Sequence, residues 1–285
     1  MKQFNKVTII GVGLVGGSIG LAVKKRKLAG EVVGVFRRRS TLKKALRYKA
    51  VDRGTMSVRE GVFDADLIII ATPVRSIVSM AKEAVKYAKS GAIITDVGST
   101  KVLIVDRIEN MLSRSRSVFF VGSHPMAGSE KSSVRFARSD LLQNAPCIVT
   151  KTGRTDRRAL KRIVHFWNSL GTKTNVMSPS EHDRCVSLVS HLPHIVAFAL
   201  AGAVSPKDLP LAAEGFKDTT RVASSDPGLW SDIFLTNRSQ IARAGRIFEK
   251  YYGDILKAVA KGDYKTTVKL LKYAKSKRDK FLYAK

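Results

Sequence analysis

The chain has 285 residues, and 51 Lys and Arg against 23 Asp and Glu give it a net charge of +28. With 44% hydrophobic and 26% charged residues, its composition is globular, which excludes a largely disordered or collagen-like chain. Two cysteines are too few for a disulfide framework, and the N-terminus lacks a signal-peptide pattern. Uninterrupted apolar runs fall short of the roughly 20 residues of a membrane-spanning helix. We therefore expect a cytoplasmic protein without a membrane span.

Strands and helices alternate along the first part of the chain. The predicted strands cover residues 6–11, 31–36, 66–71, 92–96, 118–122, 147–150 and 173–177. A predicted helix follows the first strand, and further helical patterns cover residues 42–49, 77–89, 102–112 and 157–170. Because the strands are apolar on both faces, they indicate a parallel sheet that is covered by helices on both sides.

The pattern changes after residue 177, where we predict no further strand. Residues 178–181 have the form of a capping box, with Pro179 at the first helical position, and a long apolar helix begins there. Helical patterns also cover residues 230–259 and 264–282, and Asp263 is a candidate cap for the last helix. We therefore divide the chain into an α/β domain, residues 1–177, and an all-helical domain, residues 178–285.

The sequence GVGLVG at residues 11–16 follows a strand and opens a helix, as a dinucleotide-binding fingerprint does. Gly11 permits the tight turn, Gly13 lets a diphosphate approach the backbone, and Gly16 lets helix and strand pack closely. Leu14 and Val15 begin the helix, whose N-terminus attracts an anion. The motif predicts a dinucleotide site, and the alternative is a purely structural glycine turn.

A position about 20 residues further on predicts which dinucleotide is bound. An acidic residue there would bind the ribose hydroxyls of NAD. Here Phe36 is followed by Arg37, Arg38 and Arg39. Guanidinium groups bind a 2′-phosphate through charge-assisted hydrogen bonds, whereas a carboxylate would repel it. We therefore expect NADP in preference to NAD, with the alternative that these arginines are one more basic cluster in a basic protein.

Polar residues follow three of the predicted strands, at the edge of the sheet where α/β folds bind ligands. Thr72 and Pro73 follow one strand, Ser99 follows the next, and His124 follows a third in a glycine-rich loop. The ordinary pKa of histidine suits proton transfer near neutral pH. These residues are therefore candidates for contact with a cofactor and a substrate, with His124 as the general base.

Three motifs together resemble the prephenate and arogenate dehydrogenases of tyrosine biosynthesis: SHPMAGSE at residues 123–130, SHLPH at 190–194 and GFKDTTR at 215–221. The resemblance runs in the same order from Gly11 to about Phe248. It implies a Rossmann-like N-terminal domain and an all-α C-terminal domain that forms a homodimer. It also implies oxidative decarboxylation of prephenate, with arogenate as a second candidate substrate, and hydride transfer to NADP or NAD.

The resemblance implies roles for individual residues. His124 is expected to accept the proton of the ring hydroxyl, Ser99 to orient that hydroxyl, and Arg221 to bind a substrate carboxylate. Further positions are expected to line or gate the pocket: Glu130, Asp183, His194 and Trp230. From the residues alone, Asp183, Ser187, Ser190 and His194 share one face of a predicted helix, while His182 and His191 are assigned mainly to structure. An acidic group near the side chain would favour arogenate, and Asp226 and Glu130 are the candidates.

Other functions fit the residues less well. A 3-hydroxyacid or 6-phosphogluconate type of dehydrogenase would rely on a lysine in the helical region, and no lysine here lies in a comparable motif. A nucleic-acid-binding or NADP-sensing protein would explain the charge, but the basic residues are dispersed and no nucleic-acid module is present. We expect no zinc site at His182, Cys185, His191 and His194, because they spread over more than one helix face.

Overall fold

A computed structural model of the chain describes residues 2–112, 118–129, 131 and 133–283. The chain forms two compact units that divide between Asn237 and Arg238. The predicted boundary between residues 177 and 178, which rested on the change from α/β to helical patterns, stays a prediction.

The first unit contains a parallel sheet of six strands, in the order β3-β2-β1-β4-β5-β6. The strands are Phe4–Ile10 (β1), Ala29–Val35 (β2), Arg53–Thr55 (β3), Leu67–Ile70 (β4), Ile93–Asp96 (β5) and Phe119–Val121 (β6). This order reverses between β1 and β4, which is the Rossmann-like arrangement and leaves a crevice at the carboxyl ends of those two strands. The predicted parallel sheet is confirmed, while the short, partly exposed β3 was not predicted.

Helices cover both faces of this sheet. They are Leu14–Lys25 (α1), Arg39–Arg47 (α2), Val58–Val62 (α3), Val74–Tyr87 (α4) and Val102–Leu112 (α5). Two separate clusters of buried apolar side chains result, one containing Ile9 and Ile19 and the other containing Ile10, Ile77 and Ile104. Adjacent residues of β1 thus point into different clusters, as alternation along a buried strand requires.

A second, smaller sheet follows, in the order β7-β8-β9. It consists of Ser123–Pro125 (β7), Pro146–Thr150 (β8) and Lys173–Met177 (β9), and the helix Arg157–Ser169 (α6) connects the last two strands. The sequence predicted one sheet through residue 177, which is wrong. The chain leaves the first sheet at Gly122, whose carbonyl accepts a hydrogen bond from the Thr150 amide at 2.8 Å. A Cβ on Gly122 would lie 2.6 Å from Thr150 Oγ1, so only glycine permits this close approach.

The described residues after Met177 contain no strand, as predicted. In the first unit the helices are Pro179–Val186 (α7), Leu192–Ala203 (α8), Glu214–Thr220 (α9) and Pro227–Thr236 (α10), and a π-helical turn at Ser187–His191 joins α7 to α8. Ser178 caps α7, because its Oγ accepts a hydrogen bond from the Glu181 amide at 3.1 Å. The helix predicted over residues 230–259 is broken at Asn237, whose side chain donates to the Asp183 carbonyl at 2.8 Å.

The second unit is a pair of helices, Arg238–Ala260 (α11) and Tyr264–Tyr283 (α12). Asp263 Oδ1 accepts a hydrogen bond from the Thr266 amide at 2.9 Å, so Asp263 caps α12 as predicted. Large apolar side chains on both helices are exposed, among them Val259, Leu271 and Phe281.

One helical stretch in the described residues, Pro179–Ala203, is long and apolar enough to cross a membrane on length and composition alone. Its mean hydropathy over an 18-residue window is 1.6, and 22% of that window is buried within the chain. Uninterrupted apolar runs alone did not predict this stretch, because polar residues lie within it. His182 and Asp183, both buried, lie within it.

Candidate active site

The glycine motif lies in the crevice between β1 and β4. Gly11 has a φ of +95°, and a Cβ there would lie 2.7 Å from the Ala71 carbonyl oxygen. A Cβ on Gly16 would lie 2.2 Å from the Gly11 carbonyl oxygen. Two of the three motif glycines are therefore required by the packing of the turn itself.

The start of α1 has room for an anion. Gly13 is the N-cap residue and provides no side-chain cap, and the first turn contains no acidic residue. A Cβ on Gly13 would meet nothing within 4 Å. The first backbone N–H groups of a helix, here those of Leu14 and Val15, have no acceptor within the helix. The residues present thus fit a bound diphosphate.

Thr72 and Pro73 follow β4 on the other side of the crevice. Pro73 is the N-cap residue of α4, and the methyl group of Thr72 lies 3.0 Å from where a Gly11 Cβ would be. The Thr72 hydroxyl is buried and has no hydrogen-bond partner among the described residues. A buried hydroxyl of this kind needs a partner, and a bound cofactor can supply it.

Arg37 and Arg38 lie just beyond the end of β2 and are exposed, whereas the preceding Phe36 is buried against Gly34 and Gly54. Arg38 is the N-cap residue of α2 and makes no side-chain cap bond. Residues 36–39, which follow β2, therefore carry positive charge and no carboxylate.

A buried carboxylate connects the loop that contains Ser99 to the strand that contains His124. Asp96 Oδ2 accepts a hydrogen bond from the Gly98 amide at 2.8 Å, and its Oδ1 accepts one from the Ser123 amide at 3.2 Å. The Lys101 ammonium group forms an ion pair with the same carboxylate, and both side chains are fully buried. Ser99 and His124 are thus held on two segments that share one anchor.

The sequence suggested that His124 lies in a glycine-rich loop. In the structure it lies in the middle of β7. Its Nδ1 lies 2.8 Å from Nε2 of His182, a residue that the sequence assigned mainly to structure. His182 Nδ1 in turn lies 2.7 Å from Asp183 Oδ1. Burial lowers the pKa of His124 well below the usual value for histidine, and the positive charge of Lys101 lowers it further. His124 is therefore neutral at neutral pH.

His194 and Trp230 form a stacked pair, with ring centroids 3.4 Å apart and an interplanar angle of 23°. His194 Nδ1 donates to the Ser190 carbonyl at 2.9 Å, which leaves Nε2 as the free ring nitrogen. Burial lowers the pKa of His194, the hydrogen bond to Ser190 opposes this, and the nearby positive charge of Arg221 lowers the pKa further. Arg221 begins a short 3-10 helix after α9 and is exposed. The structure thus brings these three predicted residues together.

Asp183 and Glu130 were both predicted to line or gate the pocket, and the structure describes only Asp183. Asp183 is 2% exposed, and its carboxylate accepts hydrogen bonds from the Lys101 and Val102 amides at 2.7 and 2.9 Å. Its side chain thus points towards α5, and its predicted role in lining the pocket stays a prediction. Glu130 lies outside the described residues. In the part of the chain that is described, no three His, Cys, Asp or Glu side chains are grouped so as to hold a metal ion.

A glycine-rich turn at the reversal of strand order and a buried, neutral histidine are features of nucleotide-binding oxidoreductases of the Rossmann-like class. Family comparisons make this specific. Residues 19–176 match the family "Prephenate dehydrogenase, nucleotide-binding domain", and residues 178–273 match "Prephenate dehydrogenase, dimerization domain". The chain belongs to the prephenate dehydrogenase family.

Similar proteins come from several bacteria. A prephenate dehydrogenase of Bacillus subtilis (strain 168) is 36% identical over 96% of this chain and 74% of its own length. The crystal structure of A. aeolicus prephenate dehydrogenase with hydroxyphenyl propionate and NAD+ has a TM-score of 0.89 and 34% identity, and the match covers 97% of this chain and 98% of that one. Synechocystis arogenate dehydrogenase has a TM-score of 0.81 and 27% identity over 97% and 99% of the two chains.

Proposed function

We propose that the protein converts prephenate to 4-hydroxyphenylpyruvate by oxidative decarboxylation, with NADP as the preferred oxidant. The observation that carries this proposal is the buried, neutral His124 beside the Ser99 loop, in a chain of this family. A neutral imidazole can accept a proton without first losing one, and it is thus ready to act as a base at neutral pH. Loss of carbon dioxide makes the ring aromatic and supplies the driving force.

Different residues of the site bind the substrate and accept its proton. Ser99 orients the ring hydroxyl of the substrate, and His124 accepts its proton. Arg221 binds a substrate carboxylate, since an exposed guanidinium group can form two parallel hydrogen bonds to it. His194, stacked on Trp230, presents Nε2 towards the side chain of the substrate, and Glu130 gates the entrance.

The cofactor site favours NADP over NAD. The cofactor supplies the nicotinamide that accepts the hydride. Gly11 and Gly16 permit the tight turn and its close packing, Gly13 leaves space for the diphosphate, and Thr72 and Pro73 bound the same crevice. Arg37 and Arg38 are exposed where a 2′-phosphate needs positive charge, and Phe36 occupies the position of the acidic residue that would select NAD.

Arogenate is the second candidate substrate, because one relative of similar structure is an arogenate dehydrogenase. Recognition of its amino group calls for a carboxylate near the side chain of the substrate. Asp226 caps α10, since its Oδ1 accepts a hydrogen bond from the Leu229 amide at 2.7 Å. Asp226 thus serves as a helix cap, and the proposed preference for prephenate rests on the family match.

The protein is proposed to be a cytoplasmic homodimer. The match to a dimerisation domain over residues 178–273 supports this, as does the apolar surface of Pro179–Ala203. Val189 and Leu200 of this stretch are 68% and 38% exposed in the single chain, so a second copy has apolar surface to bury. We therefore propose a dimer interface here and not a membrane span. We propose no dedicated nucleic-acid partner.

The test is an assay of cofactor reduction with prephenate and with arogenate, each supplied with NAD and with NADP. The highest kcat/KM is expected for prephenate with NADP. Equal kcat/KM values for NAD and NADP would refute the proposed role of the arginines. A higher value for arogenate would reverse the substrate assignment, and no reduction with either substrate would refute the proposed activity.

A further inference from the structure

Behind His124 lies a line of buried polar side chains that the proposed chemistry does not yet use. His124 is 7% exposed, His182 is fully buried and Asp183 is 2% exposed. Hydrogen-bond distances of 2.8 Å and 2.7 Å join them in that order. Buried polar groups of this kind are costly unless each has a partner, so the protonation of each group constrains the next.

The far end of the line is fixed by the backbone. Asp183 Oδ1 accepts from the Lys101 amide and Oδ2 from the Val102 amide, at the N-terminus of α5. The positive end of a helix dipole and two N–H donors favour an ionised carboxylate, which can only accept hydrogen bonds. Asp183 therefore requires that Nδ1 of His182 carry a proton and donate it.

This requirement determines the tautomer of both histidines. Burial lowers the pKa of His182, against the opposing effect of its hydrogen bond to Asp183, and burial also lowers the pKa of His124. Both rings are therefore neutral, with one N–H each. With the proton of His182 on Nδ1, its Nε2 is an acceptor, so His124 must donate from Nδ1. The lone pair of His124 is thereby left on Nε2.

We propose that His182 and Asp183 are positioning residues that hold His124 with Nε2 free to accept the hydroxyl proton of the substrate. This inference rests on the proposed function of His124. When Nε2 accepts that proton, His124 becomes an imidazolium ion whose Nδ1–H still donates to His182. The carboxylate of Asp183, one residue further along the line, stabilises the positive charge until decarboxylation turns the ring oxygen into a phenolate, which takes the proton back from Nε2.

Three variants of the full-length protein test the arrangement. His182→Leu removes both hydrogen bonds, whereas His182→Gln supplies an amide that can donate to Asp183 and accept from His124. His165→Gln is the matched control, because His165 is exposed on α6. We expect kcat with prephenate and NADP to fall about 100-fold or more in His182→Leu, since loss of the correct tautomer is costly. His182→Gln should recover at least part of this loss, KM should change little, and the control should match the wild type.

The tautomer itself can be observed without turnover. In protein labelled with 15N-histidine, the ring nitrogens of His124 should show the Nδ1–H form, assigned by comparison with His124→Asn. Asp183→Ala should shift His124 towards the Nε2–H form, because Nδ1 of His182 then loses the carboxylate that requires it to donate. A wild-type His124 in the Nε2–H form would overturn the inference, as would a folded His182→Leu that keeps wild-type kcat. Absence of turnover in the wild type would instead refute the proposed function and leave the tautomer result to decide this inference.

Discussion

Removal of the Lys101 ammonium group should destabilise the first unit strongly. Lys101 and Asp96 form an ion pair in which both side chains are fully buried. Loss of one partner leaves a buried charge without compensation, which costs about 3–5 kcal/mol. In Lys101→Met, Asp96 would keep its hydrogen bonds from Gly98 and Ser123, so we expect a cost near the lower end of that range.

Urea unfolding measures this cost. With an m-value of about 3 kcal/mol/M, a loss of about 3 kcal/mol lowers the midpoint by about 1 M. The double variant Lys101→Met with Asp96→Asn should recover part of the loss, because no unpaired charge remains. Lys24→Met is the matched control: Lys24 forms an ion pair with Asp52 at 2.7 Å, but both side chains are partly exposed. Such a pair contributes at most about 1 kcal/mol.

A Lys101→Met variant whose midpoint stays within about 0.3 M of the wild type, which is about 1 kcal/mol at this m-value, would refute the predicted loss of stability. A double variant that is less stable than the single one would also contradict it. Either result would show that Asp96 does not depend on Lys101 for its charge compensation.

Three further predictions concern other parts of the chain. Arg37→Asp combined with Arg38→Ala should reverse the preference for NADP, measured as the ratio of kcat/KM for the two cofactors; an unchanged ratio would contradict it. Gly11→Ala should lower the melting temperature and weaken cofactor binding, because its Cβ would lie 2.7 Å from a carbonyl oxygen at a φ of +95°; wild-type values would refute this. Burial lowers the pKa of His191 to about 4, so as the pH falls this histidine is protonated in the unfolded chain before it is protonated in the folded one. The free energy of unfolding should therefore decrease between about pH 6.5 and pH 4, and less so in His191→Gln; identical urea titrations of the two proteins would contradict this.

The main sheet and the cofactor crevice could be predicted because their signals are local. The glycine motif combines a strand end, a tight turn and a helix start within residues 11–16: Gly11 adopts a φ of +95°, and Gly16 packs against the Gly11 carbonyl. The caps at Ser178 and Asp263 are also local, since each accepts a hydrogen bond from an amide three residues further on. Such features depend little on the rest of the fold.

Features that depend on distant residues could not be predicted. The end of the first sheet at Gly122 depends on the approach of Thr150, and the break at Asn237 on a hydrogen bond to Asp183. His182 looked structural because its importance comes from contact with His124, which lies 58 residues away in the sequence. Its one local signal was the adjacent Asp183, since a carboxylate commonly orients a functional histidine.

The central claim is tested most directly by the ratio of carbon dioxide released to NADPH formed, from prephenate labelled in its ring carboxylate. We predict a ratio of one in the wild type. His124→Asn should abolish both products together while its affinity for NADP, measured by fluorescence titration, is unchanged. Carbon dioxide release without NADPH formation, or a His124→Asn variant that keeps most of the wild-type rate, would contradict the account.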